Sequence, residues 1–554
     1  MRKPMSFDLV DQPWLLVQRL DGHVEEVSLV DAFRRAPELR RLAGELPTQE
    51  FAHLRLLLAV LHATLDGPDT STWEQLWETP TLPVDDIADY LDEHRERFDL
   101  LHPTAPFYQV ADLRTGKDEV FGLERLIADV PSGAQLLFTA RSGPALHRIS
   151  PAEAARWLVH AHAYDISGIK SGAAGDSRVK GGKVYPLGTG YTGSLGGVFV
   201  EGDNLRETLL LNLVPYNVPY LRSDDDDRPT WERDPLGPAA QDDLTPSGVM
   251  RLYTWQSRRI RLFGDADGIT GVVLAYGDPL SPRDLHQREP MTAWRRSPTQ
   301  EKALKTTPVY LPRTHTPDRA LWRGLDAMLP GTAGRGRSGE PPANLDPGIL
   351  EWTGYAANRG LLRRPVIRLR AVGAVYGTQQ SVIDEVLDDA VTMPVRAVTD
   401  PHVAIEIQRA ADAADRGVRA LVALGRNLLR AAGVREDNRL DGAREATAAE
   451  AYAALDQQFR DWLRGLVDGV DLADSRTAWH RSAARTLRGI GDRMVAEAGP
   501  VAWAGRQIDN NLVTSAKADV WFRHQLSKAL PLAGADQPAE PDTTDRPQEE
   551  VALT

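Results

Sequence analysis

The sequence predicts an α+β protein: a large, irregular mixed α/β N-terminal domain followed by a C-terminal antiparallel four-helix bundle. Three observations carry this expectation. The first 365 or so residues mix short β-rich runs with isolated helical stretches and frequent prolines. Beyond about residue 400 the chain turns to four Ala/Leu/Arg-rich segments with helical spacing and shortish links. From Ala533 onward it carries six acids against Arg546 and reads as a disordered acidic tail. The expected divisions are residues 1–370, 371–532 and 533–554, since 554 residues exceed one domain of about 100 to 200 residues.

Within the first part, helices are expected over residues 50–65 and 150–164. The second begins Ser150, Pro151, Ala152, Glu153, a capping-box pattern with proline at the first helical position, so its start is the best-defined boundary. Strands are expected over 198–201, 258–263, 272–276 and 366–376, where β-branched and alternating residues concentrate. The run SVIDEVLDDAV after residue 380 is helix-like. Residues 331–344, GTAGRGRSGEPPAN, form a Gly/Pro-rich linker or loop in which Arg335 and Arg337 could meet phosphate.

Composition removes several classes of chemistry. With no cysteine, disulfides, thiolate metal sites and a cysteine nucleophile are excluded. No apolar run reaches the roughly 18 residues of a membrane span, and the N-terminus lacks an apolar signal core, so a cytoplasmic protein without membrane contact is expected. A net charge of −13 argues against nonspecific coating of nucleic acid while leaving room for a local basic site.

One such site is conspicuous. Between Gly168 and Gly202, 11 of the 45 glycines fall in 35 residues, together with Lys170, Arg178, Lys180 and Lys183. Glycine lets a backbone approach a ligand closely and scattered cations neutralise phosphate, so the stretch suits either a polyanion grip or a flexible surface loop. Within it Gly188, Gly190 and Gly193 spell GTGYTG, a literal dinucleotide fingerprint. The fingerprint needs a helix N-terminus next, and β-like SLGGVFVEG follows instead. A stand-alone nucleotide-dependent enzyme using GTGYTG remains the alternative function.

Other candidates are weaker. His160 and His162 lie about 200° apart around the expected helix and cannot face one ion. The acidic run 224–227 reads as a solvated loop, and Asp265, Asp267 and Gly268 as a turn. No Gly-x-Ser-x-Gly elbow, P-loop or His-Glu-x-x-His string occurs. Gln379 and Gln380, in GTQQS, would stand at the exposed end of a strand, where uncharged amides can read or pry base edges or simply form a polar turn. Trp294, Arg295 and Arg296 are either a nucleic-acid contact or a salt-bridged surface loop.

In order along the chain, FDLVDQPWLLV, APFYQV, LERLIADVPSGAQLLF, YDISGIKSG, FVEGDNLRETLLLNLVP, PTWE, RLYTWQSRRIRL and GTQQS resemble the family of large subunits of the type I-E CRISPR surveillance complex, CasA of Cascade, over about 500 residues. The resemblance implies a non-catalytic, cofactor-free subunit that recognises the short motif flanking a target in double-stranded DNA from the minor groove. It further implies a role in strand separation and recruitment of a helicase-nuclease.

Residue by residue, Gly168, Ile169, Lys170, Ser171 and Gly172 match the glycine loop that approaches the motif, and Gln379 and Gln380 match the strand-separating wedge. The family's minor-groove lysine has no lysine counterpart; Arg295 and Arg296 lie nearest. Phe138, with Arg141 in the loop after it, resembles the segment anchoring the subunit near the 5′ end of the guide RNA. The implied partners are target DNA, guide RNA, the backbone and small subunits, and the helicase-nuclease. No metal site is expected, since the cysteine cluster of some relatives is missing.

Overall fold

Residues 47–64 form helix α1 (Pro47–Thr64), opened by a proline whose missing amide has no helical partner to lose. The computed structural model in which it is seen describes residues 6–130, 146–241, 244–317, 319–330, 340–508 and 511–534. The chain divides into two compact units, Met1–Pro401 and His402–Thr554, and α1 runs through the core of the first. Phe51, Leu54, Leu57, Leu58 and Leu61 are buried, but so are His53, Arg55 and His62. A helix covered all round cannot leave a charge unpaired. Arg55 therefore meets Glu289 through hydrogen bonds of 2.9 and 2.8 Å, and Glu50 meets Arg370 at 2.6 Å.

Small sheets surround this helix. Strands β1 (Leu15–Arg19), β2 (Val24–Val27) and β3 (Leu39–Leu42) form an antiparallel sheet in the order β2-β1-β3. Helix α2 (Pro151–Tyr164) begins as expected: Ser150 Oγ accepts the Glu153 amide at 3.1 Å. It feeds a two-stranded ladder of β4 (Lys170–Ser171) and β5 (Lys183–Val184), followed by β6 (Gly197–Glu201). Strands β7 (Arg258–Asp265) and β8 (Gly268–Tyr276) form a hairpin whose turn holds Asp267, with the Asp265 carboxylate at the end of β7 accepting the Asp267 amide. Strand β9 (Trp294–Arg296) lies between β10 (Tyr310–Pro312) and β11 (Asn344–Leu345).

The last sheet of the unit joins distant parts of the chain. β12 (Val366–Tyr376) pairs with β6 on one side and with β13 (Ile383–Pro394) on the other, all antiparallel. Phe51 of α1 stacks on Phe199 of β6 with ring centroids 5.9 Å apart. A side chain at Gly197 would meet the Phe51 ring at 2.7 Å, so helix and sheet approach as closely as they do only because that position is glycine.

Two expectations change here. The segment expected as a helix after residue 380 is the strand β13. Its apolar residues at 382, 383, 386 and 387 mimic a helical period, yet the segment is held by an eleven-pair ladder to β12. Residue 370 lies inside β12, and the two compact units divide at Pro401 and His402. The acidic run 224–227 is also not wholly solvated. Asp227 is buried and accepts hydrogen bonds from the Tyr216 hydroxyl and the amides of Met250 and Arg251, at 2.8, 3.1 and 2.9 Å.

The second unit is helix-rich. Helices α3 (Pro401–Ala432), α4 (Asp437–Arg464), α5 (Leu472–Glu497) and α6 (Ser515–Ala529) correspond to the four expected segments. On α3 the buried residues Val403, Ile407, Ala410, Ala414, Gly417, Leu421, Leu424 and Leu428 recur at three- and four-residue steps, the stripe of an amphipathic helix. Trp479 donates its indole hydrogen to the Ala410 carbonyl at 3.0 Å and packs edge-on to Phe459. Of the expected acidic tail, residues from 535 on lie outside the described residues. Among the described residues, no helix is long and apolar enough to cross a membrane.

Candidate functional site

Where α2 ends, one carboxylate organises the chain that follows. Asp165 accepts from the Lys170 ammonium at 2.7 Å and from Arg258 Nε at the start of β7. Nη2 of Arg258 donates to the carbonyls of Asp165, Ile166 and Gly188 at 3.0, 3.1 and 3.0 Å. Burial alone would push the Asp165 carboxyl up, but the two cations outweigh it and hold the group below its ordinary value. Lys170 is displaced downward by its own burial, partly restored by Asp165. Its side chain is thus spent inside the protein, while its backbone stays in the loop.

The next residues are clamped from the other side. The Tyr276 hydroxyl, at the end of β8, accepts the Gly168 amide at 3.0 Å and donates to the Gly168 carbonyl at 2.8 Å. Ser167, just before, donates its amide to the carbonyl of Gln380 at 2.8 Å. The glycine loop and the glutamine turn, separated by more than 200 residues of chain, are therefore one hydrogen-bonded element. Beneath it opens a cavity of about 130 Å³, walled by Phe121, Leu126, Val130, Ile166, Ile169 and Ile383 among others.

Gly168 has no internal reason to be glycine. Its backbone is not left-handed, and a Cβ there would meet no atom within 4 Å. Gly172 differs, since a Cβ would strike Val179 at 2.6 Å.

The glutamine turn caps the β12–β13 hairpin. Gln379 and Gln380 are exposed and both have φ of +56°, a left-handed conformation uncommon outside glycine. The turn is closed by Gly377 N to Val382 O at 3.0 Å and Gln380 N to Gly377 O at 2.8 Å. Two amides therefore project from a strained, exposed tip that is held on both strands and tied to the glycine loop.

The remaining candidates distribute differently. Trp294 is buried in β9, a strand and not the loop expected. Arg296 is held by Glu301 at 2.6 and 2.9 Å, whereas Arg295 is exposed and bonds to no described side chain. Among the described residues, no hydrogen bond or ion pair links this pair to the glycine loop or the glutamine turn. His160 contacts Thr48 Oγ1 at 2.9 Å and His162 the Tyr108 carbonyl at 2.8 Å, facing different neighbours as their spacing requires. Among the described residues no group of three metal-ligating side chains exists. Phe138, Arg141, Arg335 and Arg337 lie outside the described residues.

GTGYTG is structural. Gly190 N donates to Asp165 O at 2.8 Å, Tyr191 N to Ser257 Oγ at 3.0 Å and Gly193 N to Gly190 O at 3.0 Å. A side chain at Gly190 would run into the Ala163 carbonyl and one at Gly193 into the Tyr376 hydroxyl. Amides already used within the protein cannot cradle phosphate, so the alternative enzyme reading loses its loop. Sequence reasoning missed Ser167, Tyr276, Asp165 and Arg258 as the supports of the site. The strand ending at Tyr276 was visible, but not what its hydroxyl would hold.

Residues 8–490 match the family model described as CRISPR-associated protein Cse1. The chain is 34% identical over 392 residues to the CRISPR-associated protein CasA/Cse1 of Thermus thermophilus, spanning 68% of this chain and 69% of that one. The crystal structure of Thermobifida fusca Cse1 superposes with a TM-score of 0.88 at 49% identity, covering 96% of this chain and 99% of the other. That of Cse1 from Acidimicrobium ferrooxidans gives 0.81 at 33%, with the same coverage. Similarity of this extent, through both units, leaves one assignment: the protein belongs to the Cse1 (CasA) family of CRISPR-associated proteins.

Proposed function

We propose that the protein is the non-catalytic large subunit of a type I-E CRISPR RNA-guided surveillance complex, Cascade, and that it reads the motif flanking a DNA target. In this reading the loop from Gly168 to Gly172 approaches the duplex from the minor groove, and Gln379 and Gln380 enter beneath the motif and part the first base pairs. The observation that carries it is the Ser167–Gln380 hydrogen bond, which makes recognition and opening a single mechanical element. Gly168 supports it further, since the space a side chain would fill is left open to a ligand.

A minor groove presents a degenerate pattern, so a glycine backbone with one basic finger reads it permissively. Arg295 is the better finger of the two candidates, because Glu301 already holds Arg296. Strand separation then lets the guide RNA pair with its target, and that pairing carries the sequence specificity. Phe138 and Arg141 anchor the subunit near the guide's 5′ end. The four helices of the second unit form an antiparallel bundle, the subunit assembles with the backbone and small subunits, and the complex recruits the helicase-nuclease in cytoplasmic antiviral defence.

The test uses the assembled complex with guide RNA and a target duplex carrying a fluorescent base at the first pairs. Gln379→Ala with Gln380→Ala should leave assembly and motif-dependent binding intact while the fluorescence rise on opening is lost. Opening at the wild-type rate would overturn the wedge.

A further inference from the structure

The four cations of the glycine-rich stretch separate into two kinds. Lys170 is spent on Asp165, and Arg178 is spent on Asp176 and the carbonyls of Tyr276 and Gly277. Lys180 and Lys183 are exposed and their side chains meet no described partner. They bracket a two-residue turn, Gly181 and Gly182, with φ of +61° and +79°, the doubly left-handed geometry that closes tight hairpins. Lys180 N donates to Lys183 O at 2.8 Å and Lys183 N to Lys180 O at 3.2 Å. The two side chains therefore leave the same face of a closed pair, and like charges directly opposite one another are destabilising. Among the described residues, no acid offsets the repulsion through an ion pair.

That face is continuous with the recognition loop. Lys170 pairs with Val184 and Ser171 with Lys183, while Gly172 N donates to Gly182 O at 2.9 Å. Side chains alternate across a strand, and burial follows the alternation: Lys170 and Val184 are inside, whereas Ile169 is 54% and Tyr185 65% exposed. Extending the register places Ile169 beside Tyr185. One outward face thus carries Ile169, Ser171, Lys180, Lys183 and Tyr185, combining two unneutralised cations with an exposed apolar pair.

We propose that this hairpin is a second DNA contact: Lys180 and Lys183 neutralise backbone phosphates of the duplex beside the flanking motif, and the Ile169–Tyr185 pair packs against its sugars. The inference rests on the recognition role of the adjoining loop and adds a sequence-independent grip to it. Phosphate contacts set register and affinity without discriminating sequence, so the hairpin would hold the duplex while the Gly168 backbone inspects it.

The test measures affinity of the assembled complex for a labelled target duplex, with and without its flanking motif, between about 50 and 200 mM salt. Lys180→Gln with Lys183→Gln should weaken both duplexes by a similar factor and flatten the log–log salt slope by about 1.8, or roughly 0.9 per phosphate. Tyr185→Ala should weaken binding at unchanged slope, with Tyr185→Phe close to wild type. An unchanged slope in the lysine variant overturns the proposal, as does a loss confined to guide-RNA retention. Gly168→Val separates the two readings, since its site is open and its φ ordinary. If that variant loses motif-dependent binding while the lysine variant behaves as wild type, only the hairpin contact fails; if it binds normally, the recognition loop itself fails.

Discussion

The backbone amide of Ser167 donates to the carbonyl of Gln380 at 2.8 Å, fastening the start of the glycine loop to a turn whose two glutamines are both left-handed. Neither segment can shift without the other. Tyr276 holds the next residue, Gly168, by both its amide and its carbonyl, and Arg258 holds the carbonyls of Asp165 and Ile166 before it, so the loop is preorganised from three directions. A loop held this way gives up little conformational freedom on meeting a ligand.

Strain at the glutamine turn should be separable from its function. A left-handed non-glycine residue costs about 1 to 2 kcal/mol, and Gln379 carries φ +56° and ψ +21°. Gln379→Gly is expected to raise the thermal midpoint of the first unit while slowing duplex opening. Differential scanning calorimetry and an opening assay read the two effects, and a lower midpoint would show that the amide side chain stabilises the turn.

Removing one oxygen should loosen the loop without unfolding the chain. Tyr276→Phe deprives Gly168 of both partners, and each half-buried hydrogen bond lost costs about 0.5 to 1.5 kcal/mol. Faster hydrogen exchange at Gly168 and its neighbours, with unchanged exchange in α3 and α5, is the expected pattern. Motif-dependent affinity should fall with it.

Lys170 should behave as a structural residue despite its place in the loop. Asp165→Asn would leave Lys170 and Arg258 buried side by side without a countercharge, a loss of about 3 to 5 kcal/mol. Because the Asp165 carboxyl is held below its ordinary value, its contribution is complete above about pH 4 and fades only as pH falls through the lowered value. Lys170→Met should lower stability yet leave the salt dependence of DNA binding unchanged, as measured by melting and by titration.

How much of this was legible in the sequence differs from element to element. The start of α2 was, because Ser150, Pro151 and Glu153 act within one turn. The strands 198–201 and 366–376 were, because β-branched runs need no knowledge of their partners. β13 was not, since apolar pairs four residues apart fit a helix until the ladder with β12 decides the matter. Lys170 was visible as a cation, but only the fold shows that Asp165 draws it inward. The joining of Ser167 to Gln380 lies beyond any local pattern, being a backbone contact between residues more than 200 apart.

GTGYTG offers a direct check of a motif against its context. Gly190→Ala would push a methyl group into the Ala163 carbonyl at the end of α2, so a lower melting temperature is expected. Isothermal titration of the wild-type chain with ATP and with NAD should give no saturable binding. Saturable binding that Gly190→Ala abolishes would restore the enzyme reading.

Four buried histidines make the first unit acid-sensitive well above the range where carboxylates usually act. Burial disfavours the imidazolium, lowering His53, His62 and His162 to about 3 and His160 to about 4. Unfolded, each titrates near 6.5. The unfolded chain therefore binds more protons below pH 6.5, and stability is full above that value and declines as pH falls toward 4. Each histidine contributes a slope of up to about 1.4 kcal/mol per pH unit. Three carboxyls oppose this: burial raises Glu50, and lifts Asp346 to about 6 and Glu351 to about 7, so their protonation on acidification favours the folded state. Three groups weaken the effect of four without reversing it. The melting temperature of the full chain should fall steadily from pH 6.5 to 4.5. His62→Phe isolates the cause, since His62 lies against the rings of Tyr216 and Tyr253 and its Nδ1 has no hydrogen-bond partner. That variant should hold its stability at pH 8 and show a shallower decline, smaller by one histidine's share; a curve parallel to wild type would assign the acid sensitivity to other groups.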